Sequence, residues 1–497
     1  KPTPISLDKT GLALQEDLSK VTKEFLKLKH NLELEGKNGL QKGWDVVRQL
    51  LTTSRAIQTS YDLSGFGRQG ALELYSHPIL GAKALLKSVK AFVSSKGNRK
   101  VWLELKERRN FDLYEKAGLF LVDPDEYSLT KMEEDYMSRW IDLASDYKPF
   151  KNKDGKANWA FRNTFGLGFR SVRASGRAYV SMLNVLRANV LDGMIEADRK
   201  SGTLDEKKTK LEANFINVAT GRGHVVGGGE GGVTANAFFF SPRLLASRLE
   251  YLVGAPLVHS FAEEKKSGDL GWDSATRRIA TEYLRTAATT STLVLLASIA
   301  GAEIEDDSRS SDFMKLKWGH QRIDIFGGLL QVVVILSRLI KGSTKTIAGD
   351  GGESKIKRLR GPDTDRFENW MTVLGRFIRS KANPAVGAVI NIGSGEDMVG
   401  EETTLSKELL NAVTPMVLGD AVDSFKDDDI GAAQKALGAF AAVMGTGVNT
   451  FDVTAKKEEA AAERAAEKAN EKPLSRQDKA KAAREKKRAA REKKRSQ

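Results

Sequence analysis

The sequence contains no cysteine, which excludes disulfide frameworks, thiolate zinc sites, iron–sulfur clusters and cysteine nucleophiles together. Histidine is nearly as scarce. The five copies, His30, His77, His224, His259 and His320, include no i, i+4 pair and no HExxH, so the hydrolytic zinc pattern is missing. His77, directly before Pro78, and His320, in a predicted turn, are expected to be structural. There is no G-x-S-x-G elbow and no kinase signature. Acidic pairs such as Glu133-Glu134, Glu303/Glu305 and Glu396/Asp397 arise by chance among 65 acids, and the Glu396-Asp397 turn lacks a D-x-D-x-D-G loop. The expectation is a chain that is not an enzyme, with no cofactor and no metal.

Long hydrophobic runs are missing too. Seventeen uncharged residues lie between Arg285 and Glu303, thirteen between Asp324 and Arg338, and sixteen between Lys435 and Asp452. A spanning helix needs about twenty mostly apolar residues, so each run reads first as a buried helix of a large α-helical fold. Their Thr, Ser, Gly and Ala content leaves a second reading, in which several marginal segments insert into a membrane together as an oligomer. Leu293, Val294, Leu295 and Leu296 are the apolar centre of the first run. Three consecutive phenylalanines, Phe238, Phe239 and Phe240, also need cover from a core, a neighbouring subunit or lipid. No amino-terminal signal pattern opens the chain. It begins Lys1-Pro2-Thr3-Pro4 without Met, which suggests a processed product or the carboxy-terminal part of something longer.

Helical periodicity and positive charge are abundant. The 497 residues carry 79 Lys+Arg against 65 Asp+Glu, a net of +14, and the length predicts two to four lobes. Residues 474–497 hold eleven Lys/Arg against Asp478, Glu485 and Glu492, a net of +8 that leaves +6 for everything else. Within them AAREKKR stands twice in tandem, at 482–488 and 489–495. These are strong helix formers without a Leu or Ile seam, so from Ala455 onward the pattern predicts a basic tail that becomes helical when a partner screens it. Arg484, Lys486, Lys487, Arg488, Arg491, Lys493, Lys494 and Arg495 are the candidate phosphate contacts, since a polycation gains affinity from counterion release without choosing sequence. An anionic membrane face is the other surface it could meet, and a merely solubilising terminus is the plain alternative.

Along the chain, apolar spacing predicts helices at 12–28, 44–57, Gly65–Tyr75 (capped by Asp62 or Ser64 and stopped by Pro78), 79–95, 97–117 and 125–147. The polar stretch 148–158 marks a boundary. From Trp159 to Arg199 an aromatic and aliphatic stripe runs opposite Arg162, Arg170, Arg173, Arg177 and Arg187, an amphipathic helix whose arginines are solvated or meet anions. Residues 220–232 contain seven glycines, which predicts a loop acting as a hinge; no phosphate-binding fingerprint survives there, because Val226 replaces the third glycine. Phe313–Trp318 and Arg322–Phe326 alternate around Gly319-His320, predicting a small β-hairpin. A helix at 327–341, a polar loop at 342–363 with the basic run Lys355–Arg360, and a helix Thr364–Lys381 follow; Asp427-Asp428-Asp429 could cap the last helix. The fold class is therefore mainly α-helical, multi-lobed, with one hairpin near 313–326. The regions divide as 1–150 N-terminal helices, 151–232 long helix and hinge, 233–454 helical core, and 455–497 basic tail.

Several short segments carry a family resemblance: Ser54-Arg55-Ala56 through Tyr61-Asp62-Leu63-Ser64, Arg68-Gln69-Gly70, His77-Pro78, Phe240-Ser241-Pro242-Arg243, Ala246-Ser247-Arg248, Arg309-Ser310-Ser311-Asp312-Phe313, Arg322-Ile323-Asp324, Gly327-Gly328, and Arg376-Phe377-Ile378-Arg379-Ser380-Lys381 with Pro384. In order and spacing this resembles the large polyvalent protein-associated domains of tailed bacteriophages and other mobile elements, over roughly residues 40–450. The resemblance implies an internal virion or ejection protein, packaged in the virion interior and delivered with DNA to the host envelope. It implies self-association around the portal axis, and partners among other virion proteins such as the portal, the DNA backbone and the host membrane. It supplies no catalytic residues. The alternative it leaves is a soluble DNA-binding accessory module that protects incoming DNA or tethers upstream enzymatic domains.

Overall fold

The computed structural model describes residues 17, 21, 25, 36, 38–58, 65–123, 165–225, 239–346, 355–359, 369–395, 403–415, 419–420, 422, 424–425 and 430–450. The chain divides into two compact units, residues 1–346 with 356–450, and residues 347–355 with 451–497. Every element below belongs to the first unit, save the leading residue of β5.

A single long helix, α6 (Phe165–Ser201), organises the larger core. From Ala178 to Ile195 it is buried on nearly every side, as a helix at the centre of a bundle must be. Against it lie α3 (Pro78–Val93), α4 (Ser95–Lys106) and α7 (Glu206–Ala219), and α5 (Phe111–Ala117) packs on α7. The face that α3 buries is a stripe of small residues, Gly81, Ala84, Ser88 and Ala91, at three- and four-residue spacing. That stripe lets two backbones approach closely. Helix starts follow ordinary capping chemistry: Ser94 accepts from the Gly97 amide (2.9 Å), Asp205 from Lys208 (3.2 Å) and Asn369 from Thr372 (3.0 Å).

The expected helix 97–117 is two helices. The chain turns at 107–110, where Arg108, Asn110 and the Tyr114 hydroxyl converge on Asp192 of α6 (3.0, 2.7 and 2.5 Å). The expected helix at Gly65–Tyr75 opens as a π-helical turn, Gly65–Gln69, before α2 (Ala71–Ser76). The arginine ladder is not a solvated row: Arg187 is buried and donates to the Phe120 carbonyl (3.0 Å) and to the Thr220 carbonyl (3.0 Å) and hydroxyl (2.7 Å), and Arg177 donates to the last carbonyls of α3, Ala91 and Phe92. Those carbonyls have no intrahelical partners of their own. Arg162 lies outside the described residues.

Helices α8 (Pro242–Leu252), α9 (Ala255–Ser267) and α10 (Ala275–Ile299) complete this core. Asp198 of α6 binds Lys208 of α7 and Arg278 of α10 (2.5 Å), and Arg278 also reaches Glu212 (3.1 Å). Burial, and then the charge of Asp198, push the Glu212 carboxyl up to about 8, against the pull of Arg278 and Lys208.

The predicted hairpin is present as β2 (Leu316–Trp318) and β3 (Gln321–Asp324), antiparallel, with Leu316 facing Ile323. It belongs to a larger sheet of order β1-β2-β3-β6, whose outer strands are β1 (Glu303–Ile304) and β6 (Gly447–Thr450). Helix α15 (Ala432–Val443) leads into β6, so the third apolar run is helix followed by strand; its N-cap is Gly431, and Asp427–Asp429 lie outside the described residues. Together they bury Ala297, Leu316, Ile323, Ala441 and Val448 in a second core. The basic run at 355 is not loop: β5 (Lys355–Arg358) pairs with β4 (Ser343–Thr346) after α11 (Leu329–Lys341). Of the helices between β5 and α15, α12 (Trp370–Ser380) packs on α11, where Ile335, Leu359 and Val373 make a third small core, and α13 (Pro384–Ser394) and α14 (Leu405–Val413) pack beside the first helix, α1 (Gly39–Gln58). The fold is mainly α-helical.

Candidate functional site

Three short segments that lie far apart in sequence, around Arg68-Gln69, Arg248 and Gly327, meet at one buried guanidinium. Arg248 of α8 donates to the carbonyls of Gly327 (2.8 Å), Ala219 (3.2 Å) and Gln69 (3.3 Å), and to that of Arg68. Gly327 has φ +61, and a Cβ there would lie 2.7 Å from the Arg68 carbonyl, so only glycine lets the three strands of chain close around Arg248. Phe240 joins the same hub: its amide donates to the Lys381 carbonyl (2.8 Å) and its carbonyl accepts from Arg55 (3.4 Å). Asn383 ties in Leu51 (3.1 Å), and Arg322 holds Asp312 (2.6 Å).

The electrostatics of the hub follow from burial. Desolvation pushes Arg248 down to about 10, with Tyr251 and Asp324 opposing. Burial raises Asp324, countered by its bond from the Phe326 amide. Burial and the neighbouring Arg68 charge lower Lys381 to about 8. A fixed cation surrounded by main-chain carbonyls binds backbone, so the chemistry of this hub is structural.

Residues 220–223, expected to hinge, are buried in the same region. Arg222 stacks on Phe120 (3.6 Å), and a Cβ on Gly223 would lie 2.1 Å from the Ser247 amide nitrogen. The rest of the glycine-rich stretch, from 226, lies outside the described residues.

A second cluster was not anticipated. Glu73 of α2, His77 at its end and Glu282 of α10 bring Oε2, Nε2 and Oε2 within 4.8 Å of one another. His77 Nε2 is 2.9 Å from Glu282 Oε2 and 3.9 Å from Glu73 Oε2. Burial, then the charge of Glu282, hold Glu73 well above the usual carboxylate range, with Arg285 opposing. The signal in the sequence was Glu73 and His77 at i, i+4; nothing in local spacing points to Glu282.

An open cavity of about 1890 Å³ lies between α7, α9 and residues 268–274. Its walls mix Lys207, Lys210 and Lys266 with Asp205, Glu250 and Glu263, so it has no single sign of charge with which to hold a polyanion.

Of the residues proposed from sequence, Phe239 is exposed and forms a β-bridge with Ala382, Phe240 is half-buried, and Phe238 lies outside the described residues. Leu293 and Val294 pack half-buried on the second core, whereas Leu295 and Leu296 are exposed. Helix α10 buries polar Glu282, Thr286 and Thr290 beside Ala275, Ile279 and Ala297, while Leu284, Leu295, Leu296 and Ile299 face out. Among the described residues no helix is long and apolar enough to cross a membrane. The candidate phosphate contacts, Arg484 to Arg495, lie outside the described residues. Comparison with known proteins finds no matching family model, no similar curated protein and no similar solved structure.

Proposed function

We propose that this chain is a non-enzymatic internal virion protein of a tailed phage that assembles with copies of itself and with other virion proteins, and contacts the DNA backbone and the host membrane during genome delivery. The observation that carries the reading is the outward apolar face of α10, with Leu284, Leu295, Leu296 and Ile299 exposed at the surface of a well-packed unit. Monomeric proteins seldom leave such side chains grouped, and a second helix is the natural cover. The polycationic tail, net +8 in 24 residues, supplies affinity for phosphate without a reading of bases. A protein made of packed helices, with more than half of its net charge in one terminal segment, suits both tasks at once.

Sedimentation velocity on the full chain tests the assembly. The expected result is a concentration-dependent oligomer that the double substitution Leu295→Glu, Leu296→Glu returns to monomer without loss of helical circular dichroism. A monomer at all concentrations sinks the reading and leaves the DNA-binding accessory module. For the DNA contact, deleting residues 474–497 should remove most of the slope of log affinity against log salt, each neutralised phosphate contributing about −0.9. An unchanged slope dismisses the tail.

A further inference from the structure

We propose that Glu73, His77 and Glu282 form a binding site for a divalent first-row transition ion, with Zn²⁺ as its representative, that clasps α2 to α10. The donor set is two carboxylate oxygens and one imidazole nitrogen, which suits Zn²⁺, Mn²⁺ or Fe²⁺ and disfavours Mg²⁺ and Ca²⁺, whose sites are built from oxygen alone. Glu73 and His77 stand one helical turn apart at the end of α2, and the chain is fixed there because Pro78 starts α3 at once. Glu282 comes from a helix some two hundred residues later, on the buried face of α10. Its other oxygen is occupied by Arg285 (2.7 Å), which leaves Oε2 turned to His77.

Geometry and burial both favour the ion. A tetrahedral metal with ligands at about 2.1 Å needs donors about 3.4 Å apart, and the pairs here are 2.9 and 3.9 Å with the third within 4.8 Å. Closing the widest pair takes about 1 Å or a little more. None of the three donor atoms makes a directed hydrogen bond, although Glu73 is only 1% exposed. Arg285 satisfies one oxygen of Glu282, and the facing oxygens of Glu73 and Glu282 with the His77 nitrogen are left as three donor atoms that a dication can gather. His77 keeps 18% of its side chain open, an entry side where water can be a fourth ligand.

An independent observation points the same way. The hydroxyl of Tyr251, a residue 5% exposed, makes no well-formed hydrogen bond; it lies beside the Thr286 hydroxyl, which is shared with Ser76 (2.7 Å) and the Leu72 carbonyl (3.3 Å). Burial first holds that phenol in its neutral form, against the pull of Thr286 and Arg248, and the charges of Glu73 and Glu282 add to it, so the hydroxyl lies within electrostatic reach of the cluster. It is placed to bond a metal-bound carboxylate or water, the usual outer partner of a ligand.

The test is isothermal titration of the metal-stripped full chain with Zn²⁺ in the presence of millimolar Mg²⁺. The expected result is one tight equivalent and a raised melting temperature. His77→Ala and Glu282→Gln should each weaken it about 100-fold or more, and Tyr251→Phe about 10-fold. Glu73→Gln gives the sharpest readout. By removing a crowded charge it should raise the melting temperature without metal, and at the same time abolish the rise caused by Zn²⁺. Co²⁺ absorption bands that shift in His77→Ala identify the imidazole. No tight equivalent in the wild-type chain, or equal Zn²⁺ binding by the folded variants, overturns the proposal.

Discussion

The region around α6 and the lobe made by α1 and α12 to α14 have similar secondary structure and opposite packing. In the first, α6 buries Leu183, Leu186, Leu191 and Ile195 completely, and Asn184, Arg187 and Asp198 inside it are tied to named partners. In the second, α13 has no buried residue, α12 buries only Val373, and Trp370, Met371, Val389, Ile390, Leu405 and Leu410 are exposed. One region closes upon itself. The other displays the stripe that a core would use, so the amphipathic pattern that predicted both says nothing about what covers either. A helix face is a demand for burial, and the fold of a single chain meets that demand in the first region and leaves it open in the second.

The largest expected effect tests the closed region. Leu183→Ala should cost about 3 kcal/mol, since a fully buried leucine is lost from a site surrounded by fixed helices. Arg248→Ala should cost at least as much, about 3 kcal/mol or more, by stranding four buried carbonyls. Chemical denaturation reads both. If Arg248→Ala costs under about 1 kcal/mol, the hub is not what joins the distant segments; if Leu183→Ala does, the α6 region is not closely packed.

A pH series sharpens the same contrast at smaller scale. Glu212 folds with its carboxyl raised to about 8, and Glu73 is also raised. A carboxyl of this kind binds its proton more tightly folded than unfolded, so stability falls as pH rises from about 4.3 toward the folded value. The melting temperature should therefore decline between pH 5 and 8 in steps of about one unit, and Glu212→Gln should flatten part of that decline. A melting temperature that rises over this interval contradicts the buried carboxyls.

Much of this was legible in the sequence, and the failures have a common cause. The hairpin about Gly319-His320 and the helix containing Phe377 and Ile378 were readable because period and turn chemistry are local. The break at 107–110 was not, because it is set by Asp192, more than eighty residues away. Strand β6 hides in an apolar run whose length suggested helix, and β5 in a basic run whose charge suggested loop; each is a strand only because another strand accepts it. The arginines of α6 looked like a ladder for anions, yet Arg177 and Arg187 serve carbonyls. A guanidinium pattern in sequence fixes the charge but not the acceptor. Of the Glu73, His77 and Glu282 cluster, only the i, i+4 pair was visible, since helix α10 brings the third group from elsewhere.

Val389→Asp should change monomer stability by no more than about 0.5 kcal/mol, because the side chain is 70% exposed. If it unfolds the lobe, the lobe has a hidden core and the contrast with α6 collapses; if it alters only sedimentation, the face is an assembly surface.

The smallest effect belongs to an ion pair at the surface. His224 Nδ1 lies 3.0 Å from Glu250, and the His224 side chain is 74% exposed. Lys208 and Asp198 make the same kind of contact in the interior, where Asp198 has no exposed surface. In water the Coulomb gain of the first pair is offset by screening and by the entropy of holding two side chains still, so His224→Ala should cost less than about 0.5 kcal/mol and vanish at high salt. Lys208→Ala takes one of its two cations from a carboxylate buried between α6, α7 and α10, and should cost about 3 kcal/mol at any salt. Measured in one denaturation series, the two substitutions separate burial from charge. Equal costs would mean that Asp198 is rescued by Arg278 alone (2.5 Å), and that this one guanidinium holds the three helices together.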